Sequence, residues 1–332
     1  MSDSHVVRIG ILGAAGIAPR ALINPARSVD EVAIVAVAAR DRGRAAAFAT
    51  EHDIPTVHDS YESLLADPDV DVIYNPTPNG LHGFWTLAAV AAGKHVLCEK
   101  PFTANAAEAR EVADVVTATD RIVMEAFHYR YHPITLRTIE IVRSGELGKL
   151  VSVESGFGGM GPARDDIRWN LALAGGTLMD LGCYPVHLLR SVLAEEPRVV
   201  SASAHQVEPG VDGDMTIDLE FSGGVVGKVR SSMESPDPYI YARFTGEDGE
   251  LEVHNPFLPQ DGNSLTIRTG KTTRAETVTT EPTFVFQLHA LANAVLRGAP
   301  LLTSVDDAIG NMDVIDAAYL AAGLEPREPT RA

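Results

Sequence analysis

The chain has 332 residues, of which 45% are hydrophobic and 22% charged, a composition typical of a folded protein of about two domains. Its formal charge of −18 argues against nucleic acid or an anionic membrane surface as a partner. The two cysteines, Cys98 and Cys183, form no disulfide framework or metal-ligand pattern, and no signal-like or membrane-spanning run is evident, so we expect a cytoplasmic protein.

Short apolar runs alternate with alanine-rich helical patterns over the first 125 residues. Helices such as Arg44–Glu51 and Phe84–Ala92 are predicted there, and the pair Asp59 and Glu62 has the spacing of a capping box. The predicted strands are Val6–Leu12, Val32–Ala38, Val70–Asn75, His95–Glu99 and Ile122–Glu125. Because strands that alternate with helices form βαβ units, residues 1–126 are expected to be a Rossmann domain with a doubly wound parallel sheet.

The pattern changes after residue 126. A helix is predicted from Pro133 to Ser144, and two more, at residues 284–296 and 305–322, close the chain. Between them lie period-2 segments typical of antiparallel strands: Leu150–Glu154, Val199–His205, Met215–Phe221, Val225–Ser231 and Leu251–His254. Residues 127–332 are therefore expected to form an α+β domain with an open, mainly antiparallel sheet. Since one face of such a sheet needs a cover, we expect a homodimer or homotetramer formed through it.

The sequence GILGAAGIA (Gly10–Ala18) lies directly after the first predicted strand and opens the first helix. It aligns with the dinucleotide fingerprint G-x-G-x-x-G/A through Gly13, Ala15 and Ala18, with Gly16 as an additional small residue. Small residues let the backbone approach a pyrophosphate at the N-terminus of a helix. We therefore expect Gly13, Ala15, Gly16 and Ile17 to bind a dinucleotide; the alternative is an ordinary tight turn.

The second predicted strand ends in AVAARD (residues 36–41), where an NAD site has an acidic residue for the ribose hydroxyls. The corresponding position holds Ala39, and Arg40 follows it. A guanidinium there can bind a 2′-phosphate and stack on adenine, so NADP is the predicted cofactor and NAD the less favoured one. In the alternative interpretation Arg40 is a solvated surface residue and Asp41 accepts the ribose.

Two polar segments follow the next predicted strands, NPTPNGLH (residues 75–82) and EKP (residues 99–101). Ligands of doubly wound sheets bind at the carboxyl ends of the strands. The first segment is expected to surround the nicotinamide half of the cofactor with Thr77, Pro78, Asn79 and His82, although His82 is equally suited to a structural hydrogen bond at a helix start. Lys100 follows an apolar strand and precedes a proline, which favours a catalytic or substrate-binding role over a surface lysine.

A third segment, GGTLMDLGCYPVH (residues 175–187), carries Asp180 and Tyr184 four residues apart, so that one helical turn places them on the same face. A carboxylate and a phenol directed at Lys100 would form a proton-transfer set, because a nearby ammonium lowers the pKa of a phenol. The spacing itself is common in helices that have no such function.

The motifs GILGAAGIA, PTPNGLH, EKP, EAFHYRYHP (residues 125–133) and MDLGCYPVH together resemble the Gfo/Idh/MocA oxidoreductase family over essentially the whole chain. Within the family, the resemblance is closest to the branch of the dimeric dihydrodiol dehydrogenases and the NADP-dependent D-xylose dehydrogenases. It implies a Rossmann domain followed by an open-sheet α/β domain that carries the substrate and, in many members, the oligomer interface.

The resemblance also implies roles for particular residues. Lys100 matches the lysine of the EKP motif, where the Lys–Pro bond is often cis, and Tyr184 and Asp180 match the family's proton-transfer position and its acidic partner. Arg168 and Trp169, in DIRWN (residues 166–170), would face the nicotinamide and the substrate. Glu99 would lie against the nicotinamide ribose, together with the loop that ends at His82.

Other chemistries were weighed against this one. His128 and His132 are four residues apart, but no cysteine or aspartate cluster joins them, so no metal is expected. The favoured hypothesis is an NADP-dependent dehydrogenase or reductase of a sugar, a polyol or a trans-dihydrodiol-like compound. The alternatives are a glycosidase of the same fold that retains NAD, and a non-catalytic NADP-binding redox sensor, which would need none of Lys100, Asp180 and Tyr184.

Overall fold

The computed structural model describes residues 6–330, and its contacts divide the chain into two compact units. The first unit contains the described residues up to His128 together with Phe284–Ala308, and the second contains Tyr129–Thr283 and Ile309–Thr330. The contacts thus group residues 284–308 with the first unit. The functional boundary between residues 126 and 127 stays a prediction.

The first unit is built on a six-stranded, all-parallel sheet with the order β3-β2-β1-β4-β5-β6, which confirms the predicted doubly wound fold. Its central strands are continuous apolar runs because both of their faces are covered. The short β3 is not among the predicted strands, since its three residues are all at least partly exposed. The strands are β1 Val7–Leu12, β2 Val32–Ala38, β3 Thr56–His58, β4 Val72–Asn75, β5 His95–Cys98 and β6 Val123–Glu125.

The helices of this unit follow the strands, as βαβ connections require. A π-helical turn at Pro19–Ile23 leads into α1 Asn24–Ala26, and the other helices before residue 128 are α2 Arg42–His52, α3 Tyr61–Leu65, α4 His82–Ala91 and α5 Ala106–Thr117. The capping box predicted at Asp59 and Glu62 is wrong by one residue. Ser60 caps α3, and its hydroxyl and that of Ser63 each accept the other residue's backbone N–H at 3.1 Å. Asp59 instead pairs with Arg42.

The second unit is built on an eight-stranded sheet with the order β14-β13-β12-β11-β7-β10-β9-β8. Only β7 and β10 pair in parallel, so the predicted open and mainly antiparallel sheet is confirmed. The strand β11 escaped prediction because two prolines near its start argue against a strand. The strands are β7 Leu150–Met160, β8 Arg198–Glu208, β9 Val211–Glu220, β10 Val226–Ser232, β11 Glu234–Gly246, β12 Gly249–His254, β13 Ser264–Thr269 and β14 Thr272–Glu276.

The two faces of this sheet differ in chemistry. One face is apolar and buried, with Val153, Phe244 and Leu251 among its residues. The other carries charged side chains such as Arg243 and Arg268, which pair with glutamates on the neighbouring strands. The remaining helices are α6 Pro133–Arg143, α7 Cys183–Leu193, α8 Thr283–Arg297 and α9 Val305–Ala321. Over residues 6–330, no helix combines the length and hydropathy that a bilayer span requires.

Candidate active site

The glycine turn after β1 leaves room for a ligand. Gly13 has a φ of +97°, which favours glycine, and its N–H donates to the Ala38 carbonyl at the end of β2 over 2.6 Å. Gly16 is exposed, and a Cβ atom added to it would meet no atom within 4 Å. The backbone of the turn, including Ala15 and Ile17, is therefore accessible from outside, which fits the approach of a pyrophosphate.

Two arginines lie beside this turn. Arg40 is exposed directly after the buried Ala39, and Arg44, one helical turn later, donates from Nη2 to the Ala14 carbonyl at 3.4 Å. Burial raises the pKa of Tyr61, while both guanidinium groups oppose the rise, which places them near its phenol. Sequence reasoning missed Arg44; its spacing of four residues from Arg40 was the available signal.

The alternative role of Asp41 as the ribose ligand is weakened by its position. Asp41 is the N-cap of α2, and its Oδ1 accepts the backbone N–H of Arg44 at 2.8 Å. One carboxylate oxygen is thus engaged by the helix start. This leaves the arginines as the charged groups that match a dinucleotide phosphate.

The loop after β4 is held by a buried amide that sequence reasoning also missed. Asn75 is fully buried; its Nδ2 donates to the His82 carbonyl at 3.0 Å, and its Oδ1 accepts the Thr77 hydroxyl at 2.7 Å. Pro78 precedes a short 3₁₀ turn that begins at Asn79. The four predicted residues of the loop therefore follow the carboxyl end of β4 in a defined conformation.

His82 joins this loop to the EKP segment. Its Nδ1 lies 2.7 Å from the Pro101 carbonyl oxygen and its Nε2 lies 2.7 Å from the Thr77 carbonyl oxygen. Burial lowers the pKa of His82 to about 4, with a smaller contribution from Lys100, so the ring is neutral near pH 7. A neutral imidazole donates one hydrogen bond, so only one of the two carbonyls receives a proton at a time. This geometry fits the structural interpretation of His82.

Glu99 and Lys100 lie at the carboxyl end of β5. The Tyr74 hydroxyl donates to Glu99 Oε1 at 2.7 Å, and the Glu99 N–H donates to the Asn75 carbonyl at 3.0 Å. The Lys100–Pro101 peptide bond is cis. The sheet thus brings Lys100 to the same edge as the glycine turn and the Thr77–His82 loop, where α/β sheets bind ligands.

The second unit brings Arg168 and Asp180 together. Arg168 Nε lies 3.3 Å from Asp180 Oδ2, and Nη1 lies 3.0 Å from Asp166 Oδ1. Burial lowers the pKa of Arg168, but the two carboxylates outweigh it and raise the pKa overall, which keeps the guanidinium charged. Trp169, the next residue, is buried; its Nε1 donates to the Pro162 carbonyl at 3.1 Å, and Arg164 lies over its ring.

Tyr184 follows on α7 within an aromatic cluster. It is 7% exposed, and its ring centroid lies 5.9 Å from that of Tyr129, 5.6 Å from Phe157 and 5.4 Å from Phe257. The Tyr129 hydroxyl lies 2.6 Å from Nδ1 of the buried His187. These contacts hold the Tyr184 ring within the second unit, one turn after Asp180.

The predicted residues therefore form two groups. The first unit carries the glycine turn, the arginines, the Thr77–His82 loop and Lys100, and the second carries Arg168, Asp180 and Tyr184. The first group lies on a doubly wound parallel sheet with a glycine turn after its first strand, which is the arrangement of dinucleotide-binding Rossmann domains.

Comparison with known proteins narrows the class to a family. Residues 7–127 match the model of an oxidoreductase family with an NAD-binding Rossmann fold, and residues 135–252 match the model of the GFO/IDH/MocA C-terminal domain. The chain belongs to the Gfo/Idh/MocA family of oxidoreductases, which confirms the resemblance.

Several relatives have named activities. The chain is 41% identical over 316 residues to the D-xylose 1-dehydrogenase (NADP(+)) 2 of Haloferax volcanii, covering 94% of this chain and 96% of that one. It is 39% identical over 204 residues to the trans-1,2-dihydrobenzene-1,2-diol dehydrogenase of Sus scrofa, covering 61% and 60%. Among solved structures, KijD10, a 3-ketoreductase from Actinomadura kijaniata in complex with NADP and TDP-benzene, has a TM-score of 0.89 at 26% identity, covering 95% and 98%.

Proposed function

We propose that this protein is an NADP-dependent oxidoreductase that transfers hydride between the cofactor and a hydroxyl or carbonyl carbon of a sugar, a polyol or a trans-dihydrodiol-like compound. The observation that carries the proposal is the position of Lys100, at the carboxyl end of β5 in a doubly wound sheet, a type of sheet that binds ligands at its strand ends. The similarity to an NADP-dependent D-xylose dehydrogenase over nearly the whole chain supports the same substrate class.

The cofactor part of the proposal rests on the residues around the turn. Gly13, Ala15, Gly16 and Ile17 would bind the pyrophosphate through their backbone. Arg40, with Arg44 beside it, would bind the 2′-phosphate, because charge-assisted pairs with guanidinium groups suit phosphate oxygens. Glu99 and the loop of Thr77, Pro78, Asn79 and His82 lie along the same sheet edge. They would surround the nicotinamide half of the cofactor. When bound, NADP would supply hydride exchange at nicotinamide C4.

The chemistry of the chain itself is proton transfer. In the oxidative direction, Lys100 or Tyr184 would accept the proton of the substrate hydroxyl, and in the reductive direction it would return it. The two groups would titrate as a coupled pair, so we assign the role of proton acceptor to the pair as a whole and not to either group. Asp180 would orient the substrate or the Lys100 ammonium. Arg168 would hold the Asp180 carboxylate in place, and Trp169 would line the site next to Arg168.

We also propose that the protein is a homodimer or homotetramer formed through the second sheet. The charged face of this sheet supports a polar interface and also carries aromatic rings, since Tyr239 and Tyr241 pair with Gly158 and Gly156 of β7 and their ring atoms lie close to these glycines. Light scattering that gives the monomer mass at micromolar concentration would contradict this assembly.

A substrate panel tests the function. Sugars, polyols and trans-dihydrodiols with NADP⁺, and ketosugars with NADPH, are followed by NADPH absorbance, with NAD⁺ and NADH in parallel. Turnover with exchangeable NADP supports the proposal. Tightly retained NAD with glycoside hydrolysis would instead identify the glycosidase, and NADP binding without turnover on any compound would identify the redox sensor.

A further inference from the structure

A buried ion pair ties the C-terminal tail to the segment that carries Asp180. Arg327 lies beyond α9, yet its side chain is 1% exposed, and its Nη2 lies 2.6 Å from Oδ1 of Asp212, which is 0% exposed. The Tyr319 hydroxyl donates to the same oxygen at 3.1 Å, and the Arg327 guanidinium lies 4.0 Å from the centroid of the Tyr319 ring. Arg327 is thus bound on several sides inside the second unit.

Both members of the pair also bind the backbone of one turn. Arg327 Nε donates to the Gly175 carbonyl at 2.8 Å, and Asp212 Oδ2 accepts the Leu178 N–H at 2.7 Å. Gly176, between them, has a φ of +122°, and a Cβ atom there would lie 2.1 Å from Asp212 Oδ1. The turn therefore packs directly against the ion pair, and only glycine fits at position 176.

This turn holds both members of the Arg168–Asp180 pair. The Gly176 N–H donates to the Arg168 carbonyl at 2.8 Å, and the Gly176 carbonyl accepts the Asp180 N–H at 3.1 Å. Arg168 and Asp180 meet through their side chains at 3.3 Å, so their separation depends on two backbone segments that are both hydrogen-bonded to Gly176. Tyr184 follows four residues after Asp180.

We propose that Arg327 and Asp212 are positioning residues for the second half of the active site, setting the placement of Arg168, Asp180 and Tyr184 through the Gly175–Leu178 turn. The inference rests on the proposed catalytic roles of those residues. A buried charge pair is costly to assemble, and removing one partner leaves the other charge uncompensated. The loss is expected to reach the turn, because each side chain forms a hydrogen bond to its backbone.

The test compares Arg327→Met and Asp212→Asn with wild type in the full-length protein. We expect kcat to fall about ten-fold or more in each variant, because small displacements of reacting groups are costly. NADPH affinity should stay within about two-fold, since the residues proposed to bind the pyrophosphate and the 2′-phosphate lie in the first unit. The double variant should lose little more than the worse single variant, because both act through one contact set.

Hydrogen exchange provides a readout that does not need turnover. In Arg327→Met, the amides of Gly176 and Leu178 and the peptides of residues 166–184 should exchange faster, while peptides of the β12–β14 strands keep their wild-type rates. Arg137→Met is the matched control, because Arg137 forms a two-pronged pair with Glu276 in the same unit and does not touch the turn. It should leave kcat and the exchange of residues 166–184 unchanged.

Arg327→Lys keeps the positive charge. It therefore tests the proposal even if Arg327→Met does not fold. A single ammonium replaces a planar fork, so kcat should fall and exchange at Gly176 should rise, each less than in a methionine variant. Wild-type kcat and wild-type exchange in Arg327→Lys or Arg327→Met would overturn the proposal. If wild type itself turns over nothing in the substrate panel, the proposed function fails, and the exchange experiment alone decides whether the pair holds the turn.

Discussion

His82 Nδ1 lies 2.7 Å from the Pro101 carbonyl oxygen, which joins the start of α4 to the turn that carries Lys100. The second ring nitrogen lies equally close to the Thr77 carbonyl. Two segments that the sequence presents as separate motifs therefore both contact one buried imidazole. The burial that excludes water from the His82 ring also determines how its protonation depends on pH.

The pH dependence of stability should include a contribution from His82. Its pKa in the folded state is lowered to about 4 by burial, below the unfolded value of about 6.5. Its stabilising contribution is therefore complete above about pH 6.5 and is lost as the pH falls towards 4, by up to about 3 kcal/mol. Urea unfolding of wild type and His82→Gln between about pH 8 and 5 checks this. Parallel losses in both proteins would contradict it, since Gln does not titrate.

Replacing Lys100 by Met should abolish most turnover while leaving the cofactor site intact. Methionine keeps much of the side-chain volume but supplies no proton, so kcat should fall by about 10² to 10⁴. NADPH affinity, measured by fluorescence titration, should change little, because the pyrophosphate and 2′-phosphate ligands are elsewhere. Lys149, at the start of the second unit's sheet, provides the control as Lys149→Met. Near-normal kcat in Lys100→Met would rule out the mechanism.

Arg40 and Arg44 should determine the preference for NADP. If both bind the 2′-phosphate as proposed, replacing either by Ala removes a charge-assisted contact, so Kd for NADPH should rise about ten-fold or more while Kd for NADH stays nearly constant. The control is Arg42→Ala, because Arg42 lies between them on the chain but pairs with Asp59. Equal weakening of both cofactors in the Arg40 and Arg44 variants would show that these residues support the turn rather than the phosphate.

Glu108 should make the first unit less stable at alkaline pH. Its carboxyl packs against Gly83 and accepts the Ala104 N–H at 2.8 Å, and burial raises its pKa to about 7. The folded-state pKa exceeds the unfolded value of about 4.3, so the contribution is complete below about pH 4.3 and is lost as the pH rises through 7. Glu108→Gln should therefore be more stable than wild type at about pH 8.5, by about 2 kcal/mol.

The quantity to compare for Glu108 is the difference in the free energy of unfolding between two pH values. Urea unfolding at about pH 5.5 and 8.5 should give a smaller difference for Glu108→Gln than for wild type. Asp114→Asn, an exposed change on the same helix, should leave that difference as it is in wild type. An unchanged difference in Glu108→Gln would show that this carboxyl is already ionised in the folded protein below pH 7.

Much of the fold could be read from local patterns, and the candidate site only in part. Apolar runs gave five of the six strands of the first sheet, and the glycine turn and EKP segment were found because their residue types conflict with a plain strand–helix connection. Arg44 was missed because its one local signal, the spacing of four residues from Arg40, is common on exposed helices. Asn75 was missed because its role depends on hydrogen bonds to the loop, such as that to the His82 carbonyl, which exist only in the folded protein.

The sequence by itself determined the alternation of strands and helices, the family and the identity of the charged groups at the strand ends, because these depend on periodicity and residue type within short windows. Only the tertiary structure decided that His82 is buried between two carbonyl oxygens, that Glu108 is buried, and that Arg327 pairs with Asp212 next to the segment that carries Asp180. Burial and pairing arise from residues far apart in the chain. No local pattern records them, since the cost of removing a charge from water depends on everything that surrounds it.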